Sequence, residues 1–153
     1  PDGKKLAYII HPLHKKQTRS VNLFDVDKQQ HQQLSPIHIQ AQAPISWSKN
    51  SDKLLYSALV DYQQYYDENI HKKVYQGGMH IFTSDLLGNH QQITQGDYLF
   101  KHPIFSPRED KIAYLYAEQL NARTLTLKTM TINGKERKTL HPSVAKQATL
   151  QWQ

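Results

Sequence analysis

The chain of 153 residues contains no cysteine, which excludes disulfides, thiolate metal sites and cysteine nucleophiles. It also lacks any run approaching the roughly 18 apolar residues of a membrane helix, so no membrane insertion by this segment is expected. The start, Pro1-Asp2-Gly3-Lys4-Lys5, has neither an initiator Met nor an apolar signal region. The expectation is a mature or excised segment, with any targeting element outside it. No convincing amphipathic helix is present; the best stretch, Ala117–Arg123, is short and uncapped. Acidic residues are the minority, 13 against 19 Lys and Arg, for a formal charge of +6. The lysines nevertheless occur in pairs at most (Lys4-Lys5, Lys15-Lys16, Lys72-Lys73), mostly beside Asp, Gly or Asn. That is the pattern of solvated turns and edges, so nucleic acid is not the expected partner, while an acidic partner surface stays open. Hydrophobic residues at 38% and charged residues at 21% leave enough apolar side chains for a core.

What the chain does have is internal repetition. Pro44-Ile45-Ser46-Trp47-Ser48, Lys49-Asn50-Ser51 and Asp52-Lys53-Leu54-Leu55-Tyr56 are echoed by Pro103-Ile104-Phe105-Ser106, Pro107-Arg108-Glu109 and Asp110-Lys111-Ile112-Ala113-Tyr114. Pro1-Asp2-Gly3-Lys4-Lys5-Leu6-Ala7-Tyr8 fits the second half of the same pattern. A second landmark recurs as His31-Gln32-Gln33-Leu34, His90-Gln91-Gln92-Ile93 and Arg137-Lys138-Thr139-Leu140. Each follows a β-rich run (Val21–Asp25, Met79–Thr83, Leu125–Met130) and a turn; the third turn is Asn133-Gly134, a strong hairpin signal. A period in the range of 40–50 residues marks repeat architectures. Every unit reads as four short strands: an apolar strand ending in Trp or Phe, a polar turn, a second strand, a third strand, and an outer strand carrying His-Gln-Gln-Leu or its equivalent.

The tail Ala148-Thr149-Leu150-Gln151-Trp152-Gln153 resembles a first strand, with Trp152 in the place of Trp47. The spacings from Tyr8 to Tyr56, Tyr56 to Tyr114 and Phe105 to Trp152 are 48, 58 and 47, together the length of the chain. Three units are therefore expected, over about 1–48, 49–106 and 107–153, in one domain spanning 1–153. Strand 148–153 is in phase to pair with a blade beginning at residue 1.

These residues resemble the TolB-type (WD-like) β-propeller repeat. Pro1-Asp2-Gly3-Lys4 keeps its turn, Ser106-Pro107 its entrance and Ile93-Thr94 its strand end. The resemblance implies an all-β fold of three four-stranded antiparallel blades, a partial or half propeller. Closed rings usually take about four to eight blades. Two copies related by a twofold axis would make a six-bladed ring, a homodimer by blade completion. Two turns, Lys49-Asn50-Ser51 and Pro107-Arg108-Glu109, lack the Gly of the motif and are expected to be looser or of another type. The resemblance further implies a non-catalytic module that binds or senses a protein or small ligand. An extracytoplasmic, periplasmic bacterial setting is the one expected, as in TolB-like proteins or the sensor domain of a ToxR/CadC-like transcriptional regulator. The alternative is the gating propeller of a prolyl-oligopeptidase-type peptidase, or part of a propeller lyase.

Candidate chemistry is sparse. The nine histidines show no helical i,i+4 pair and no His-x-His on a strand, and His11-x-x-His14 falls in a loop, so no metal site is expected. No Gly-x-Ser-x-Gly elbow, separated carboxylate pair or phosphate-cradling loop occurs; no catalytic residue and no cofactor is expected. Asp52 and Asp110 occupy equivalent turn positions, where they should accept backbone N–H bonds. Trp47, Phe105 and Trp152 should pack between blades. One segment breaks the repeat. Tyr56 to Asp85 spans 29 residues, whereas Tyr8 to Asp25 and Tyr114 to Thr131 span 17, so about 12 residues are inserted between second and third strands. The insert Asp61–Gly78 carries Tyr62, Tyr65, Tyr66, Asp67, His71, Lys72 and Tyr75. Tyrosines with mixed charge make contact area at low entropic cost, the composition of a binding surface. The competing reading is a long hairpin covering a rim, with its tyrosines packed on the neighbouring blade.

Overall fold

The computed structural model describes residues 2–14 and 18–153; Pro1 and the Lys15-Lys16 pair lie outside the described residues. Strands alone make up the regular structure there: β1 (Lys5–Ile10), β2 (Ser20–Asp25), β3 (Gln30–Gln33), β4 (Gln40–Trp47), β5 (Lys53–Asp67), β6 (Lys72–Asp85), β7 (His90–Gln92), β8 (Leu99–Phe105), β9 (Lys111–Ala117), β10 (Thr124–Thr131) and β11 (Lys138–Ala145). Antiparallel pairing groups them as β1-β2-β3, β4-β5-β6-β7 and β8-β9-β10-β11. A single parallel step, Met79 opposite Leu99, links β6 to β8. The arrangement is all-β, blade after blade, with the chain passing from the outer strand of one blade to the inner strand of the next.

The sequence units and the blades are offset by one strand. The unit boundaries at 48/49 and 106/107 fall inside the first hairpin of a blade, so a unit closes on the inner strand of the following blade. The first blade consequently has three strands, and β1 lies at its inner edge without a partner among the described residues. Segment 148–153 forms no strand, in contrast to the expectation for it, and Trp152 is exposed. Leu150 and Ala148 instead pack against Leu99, Leu115, Ala117 and Leu125, on the far face of the third blade.

Alternation along the second strands builds the core. Side chains on a strand point alternately to its two faces. Leu54, Tyr56 and Ala58 of β5 enter one buried cluster with Val21 and Leu23 of β2, while Leu55 enters another with Phe100, Phe105, Ile112 and Tyr114. The middle blade is thus buried on both faces, one against each neighbour. Tyr56 stacks on Phe82, its direct cross-strand partner, with ring centroids 5.7 Å apart. Phe105 is buried and Trp47 half-buried at the ends of the inner strands.

The turns depart from expectation. Ser51 and Glu109, at the position of Gly3, adopt the same left-handed conformation, with φ of 59° each against 75° for Gly3. The turn type is therefore kept without glycine, because the hydrogen bonds around it outweigh a left-handed cost of roughly 1–2 kcal/mol per residue. In one turn Ser51 N–H donates to Ser48 C=O at 3.1 Å and Ser48 N–H to Lys53 C=O at 2.9 Å. In the other, Glu109 N–H donates to Ser106 C=O and Ser106 N–H to Lys111 C=O, each at 2.9 Å. The carboxylates are also used differently than expected. Asp52 and Asp110 accept from the hydroxyls of Ser48 (2.7 Å) and Ser106 (2.9 Å). Those hydroxyls take the backbone N–H groups of Lys53 (2.9 Å) and Lys111 (3.1 Å). The Ser106 hydroxyl, as the largest cause, holds the Asp110 carboxyl below its ordinary pKa.

Ser48 and Ser106 are both buried, so removing either hydroxyl strands a backbone donor. Ser48→Ala and Ser106→Ala should each destabilise the fold by about 1–3 kcal/mol. Urea unfolding followed by tryptophan fluorescence measures this, and a change within about 0.3 kcal/mol would show that the hydroxyls do not organise the turns.

Candidate functional site

The inserted segment is a hairpin arm. Tyr and Val favour strands, and the register runs Gln63 opposite Gln76, Gln64 opposite Tyr75, Tyr65 opposite Val74, Tyr66 opposite Lys73 and Asp67 opposite Lys72. Beyond Leu59 on β5 and Met79 on β6 no further strand among the described residues flanks it, so the arm is two-stranded there and both its edges are open. A break in register between Val60 and Gln63 sets it off from the blade. Asp61 there has a φ of 51° and Gly77 opposite has 84°. A Cβ on Gly77 would lie 2.5 Å from the carbonyl oxygens of Val60 and Asp61. Only glycine fits that bend.

The alternation of the arm divides the predicted residues. Tyr65 and Tyr66 are exposed, at 43% and 57%, and offer their rings to solvent. Asp67 accepts the Asn69 N–H at 2.9 Å and closes the tip, and His71 sits in the tip turn with a φ of 51°. Lys72 and Tyr75 line a groove of about 580 Å³ between the arm and the Glu118–Asn121 loop of the third blade. Tyr62 and Tyr75, half-buried at the base of the arm, also wall a second cavity of about 350 Å³. The structure thus splits the seven candidates between an exposed tip and the wall of a cavity. Trp47, Phe105, Asp52 and Asp110 lie away from both, in the core and the turns, and Trp152 stands outside any strand.

The second cavity brings in residues that sequence reasoning did not single out. Leu59, Met79, Leu99 and Leu120 provide an apolar surface. His11 from just beyond β1, Gln42 and Ala43 from β4, Lys101 and His102 from β8, and Lys146 from beyond β11 complete the lining. Lys101 and His102 are adjacent on a repeat strand next to Pro103, but nothing in the sequence places Lys146 or His11 beside them. The Lys101 ammonium donates to Lys146 C=O at 3.4 Å, and His102 Nδ1 to Ala148 C=O at 3.0 Å. A carbonyl only accepts, so Nδ1 carries the proton and Nε2 is left free. Burial, as the largest cause, pushes the pKa of both groups down; the Lys146 charge adds to the effect on Lys101, and the Lys101 charge to that on His102.

The histidines at repeat positions have other work. The Tyr8 hydroxyl bonds His31 Nδ1 at 2.7 Å, and the His31 ring packs on Phe24 with centroids 4.6 Å apart. His80, buried on β6, approaches the Thr94 hydroxyl at 3.3 Å, and desolvation pushes its pKa down. Among the described residues no three His, Asp or Glu side chains converge as a metal site would require, and no helix is long and apolar enough to cross a membrane.

Comparison with known proteins supports the fold. No family model matches the sequence, and no curated protein matches it. Solved structures do. A protein described as TolB from Agrobacterium tumefaciens superposes with a TM-score of 0.70 at 16% identity, covering 99% of this chain and 51% of that one. An oligogalacturonate lyase solved with manganese gives 0.63 at 14% identity, covering 93% of this chain and 38% of that one. Dipeptidyl peptidase 4 of Porphyromonas gingivalis gives 0.59 at 11%, covering 95% and 25%. The chain spans about half the length of the TolB structure and less of the others. At these identities the likeness establishes a shared fold, the TolB-type propeller, and leaves activity to be argued from the site.

Gly77→Ala should destabilise the chain by roughly 1–3 kcal/mol, through the forbidden φ and the collision with Val60 and Asp61. Thermal unfolding, together with hydrogen exchange along Asp61–Gln76, would register the loss; an unchanged melting temperature would show that the bend tolerates a side chain.

Proposed function

We propose that the chain is a non-catalytic binding module, a propeller segment that presents its tyrosine-rich arm to a protein or small ligand. The single observation that carries this reading is the arm: a regular hairpin, unflanked by other strands among the described residues, with Tyr65 and Tyr66 exposed at 43% and 57%. Buried tyrosines would favour a rim cover; exposed ones on a paired hairpin suit recognition. An extracytoplasmic bacterial setting, as the sensor or interaction part of a TolB-like or regulator-linked protein, accords with the fold. The second reading, the non-catalytic share of a peptidase or a lyase propeller, is favoured by the shared fold of the dipeptidyl peptidase and the oligogalacturonate lyase.

A second copy is the proposed partner at the inner edge of β1. Its segment 148–153 would supply the missing inner strand, Trp152 taking the place that Trp47 holds opposite Leu54. The unpartnered edge of β1 and the exposure of Trp152 support this. Light scattering should then give twice the chain mass of 17.8 kDa, and a uniform monomer at working concentration rejects the exchange.

The binding reading is tested with a Tyr65→Ala/Tyr66→Ala double variant. Affinity capture from a bacterial extracytoplasmic extract should retain a partner on the unmodified chain and lose it on the variant, with both melting at the same temperature. A collapse in melting temperature would make the arm structural. Turnover of oligogalacturonate or of a peptide substrate would overturn the non-catalytic assignment.

A further inference from the structure

The cavity of about 350 Å³ at the base of the arm falls in the size range of small-molecule sites, roughly 300–1,000 Å³. Its lining is lopsided in charge. Lys101, His102, His11 and Lys146 contribute to it, and no Asp or Glu does. Among the described residues the one side-chain ion pair is Lys5 with Asp25, on β1 and β2. Lys101 and Lys146, with the imidazoles of His102 and His11 beside them, therefore gather at the cavity without a lining carboxylate. Only backbone carbonyls, those of Lys146 and Ala148, answer Lys101 and His102. The forces on the two groups agree with that geometry: burial and a like charge act on each, and no acidic side chain acts on either. Like charges gathered in a partly dry site are unfavourable unless an anion joins them.

The rest of the lining specifies what kind of anion. Leu59, Met79, Leu99 and Leu120 are apolar, and the Tyr62 and Tyr75 side chains are flat, amphipathic walls. A small, strongly hydrated inorganic ion would leave that surface unused. We infer that the cavity binds a small amphiphilic carboxylate, its apolar body against Leu59, Met79, Leu99 and Leu120 and its carboxylate on Lys101, His102 and Lys146. The free Nε2 of His102 can carry a second proton and so become a donor to the bound carboxylate. Tyr62 and Tyr75 belong at once to the arm and to the wall of this cavity, so an occupant would brace the arm's base. The inference deepens the binding-module reading by naming a ligand class, yet it stands on the cavity and not on the arm tip.

Phenylacetate serves as the probe, with phenylacetamide as its uncharged analogue and inorganic phosphate as a purely charged one. Isothermal titration of the whole chain should show saturable phenylacetate binding at least about tenfold tighter than either control. Lys101→Gln and His102→Gln should each weaken it by about fivefold or more, and Lys101→Arg should retain most of it. The His102 ring resonances should shift on titration, and circular dichroism should show each variant folded. Equal affinity for phenylacetamide would reduce the site to an apolar pocket, and equal or tighter phosphate binding to a simple charge cluster; either overturns the inference. So does the absence of saturable phenylacetate binding up to about 10 mM. Loss of phenylacetate binding with partner capture by Tyr65 and Tyr66 intact would sink the ligand and spare the module. The converse result would sink the arm and spare the cavity.

Discussion

Leu54, Tyr56 and Ala58 leave β5 on one side and Leu55 on the other, and both sides are dry. A sheet buried on both faces requires a sheet against each face, so the middle blade holds its place only between its neighbours. Fully burying a large apolar side chain contributes roughly 1.5–3 kcal/mol, and such residues line both interfaces. No blade is independently stable on these terms, since three or four short strands with two apolar faces cannot shield themselves. The arrangement of blades, the position of the arm and the cavity beneath it all follow from this mutual coverage.

The hairpin turns add direction to that packing. In two of these turns a buried serine hydroxyl, Ser48 or Ser106, accepts a backbone N–H and donates its own hydrogen bond to an aspartate. The blades are also joined through these turns: Asp2 N–H donates to the Ser51 hydroxyl at 3.2 Å, and the Glu109 carboxylate accepts the Lys49 N–H. Ser51 and Glu109 thus hold their left-handed backbone partly because their side chains serve the neighbouring blade. Glycine would relax the backbone and lose the link. Reading the motif position by position missed this, since the reason for a non-glycine residue lies across the blade interface.

Much of the fold was legible because its signals are local and periodic. The aromatic-Ser-turn-Asp-Lys pattern marked two first hairpins, and His-Gln-Gln marked two outer strands, where β3 and β7 are found. The 12-residue excess between Tyr56 and Asp85 located the arm, although its form as a flanked-by-nothing hairpin depended on a bend at Gly77 that spacing does not reveal. The tail was the opposite case. Its composition matches that of β4, but a strand exists only where another strand bonds it, and among the described residues nothing does.

Alone, the sequence determined the strand inventory, the repeat and the placement of an insertion, because alternation, turn chemistry and spacing are properties of neighbouring residues. The tertiary structure decided the rest. Tyr62 and Tyr75 came to share a wall with Lys101 and His102, from another blade, and with His11 and Lys146, near opposite ends of the chain. That meeting depends on how blades pack face to face, a long-range geometry set by buried area and not by any local pattern. Charge behaves likewise: 19 scattered basic residues look uniform along the chain, and only folding shows where several of them stand together without an acid.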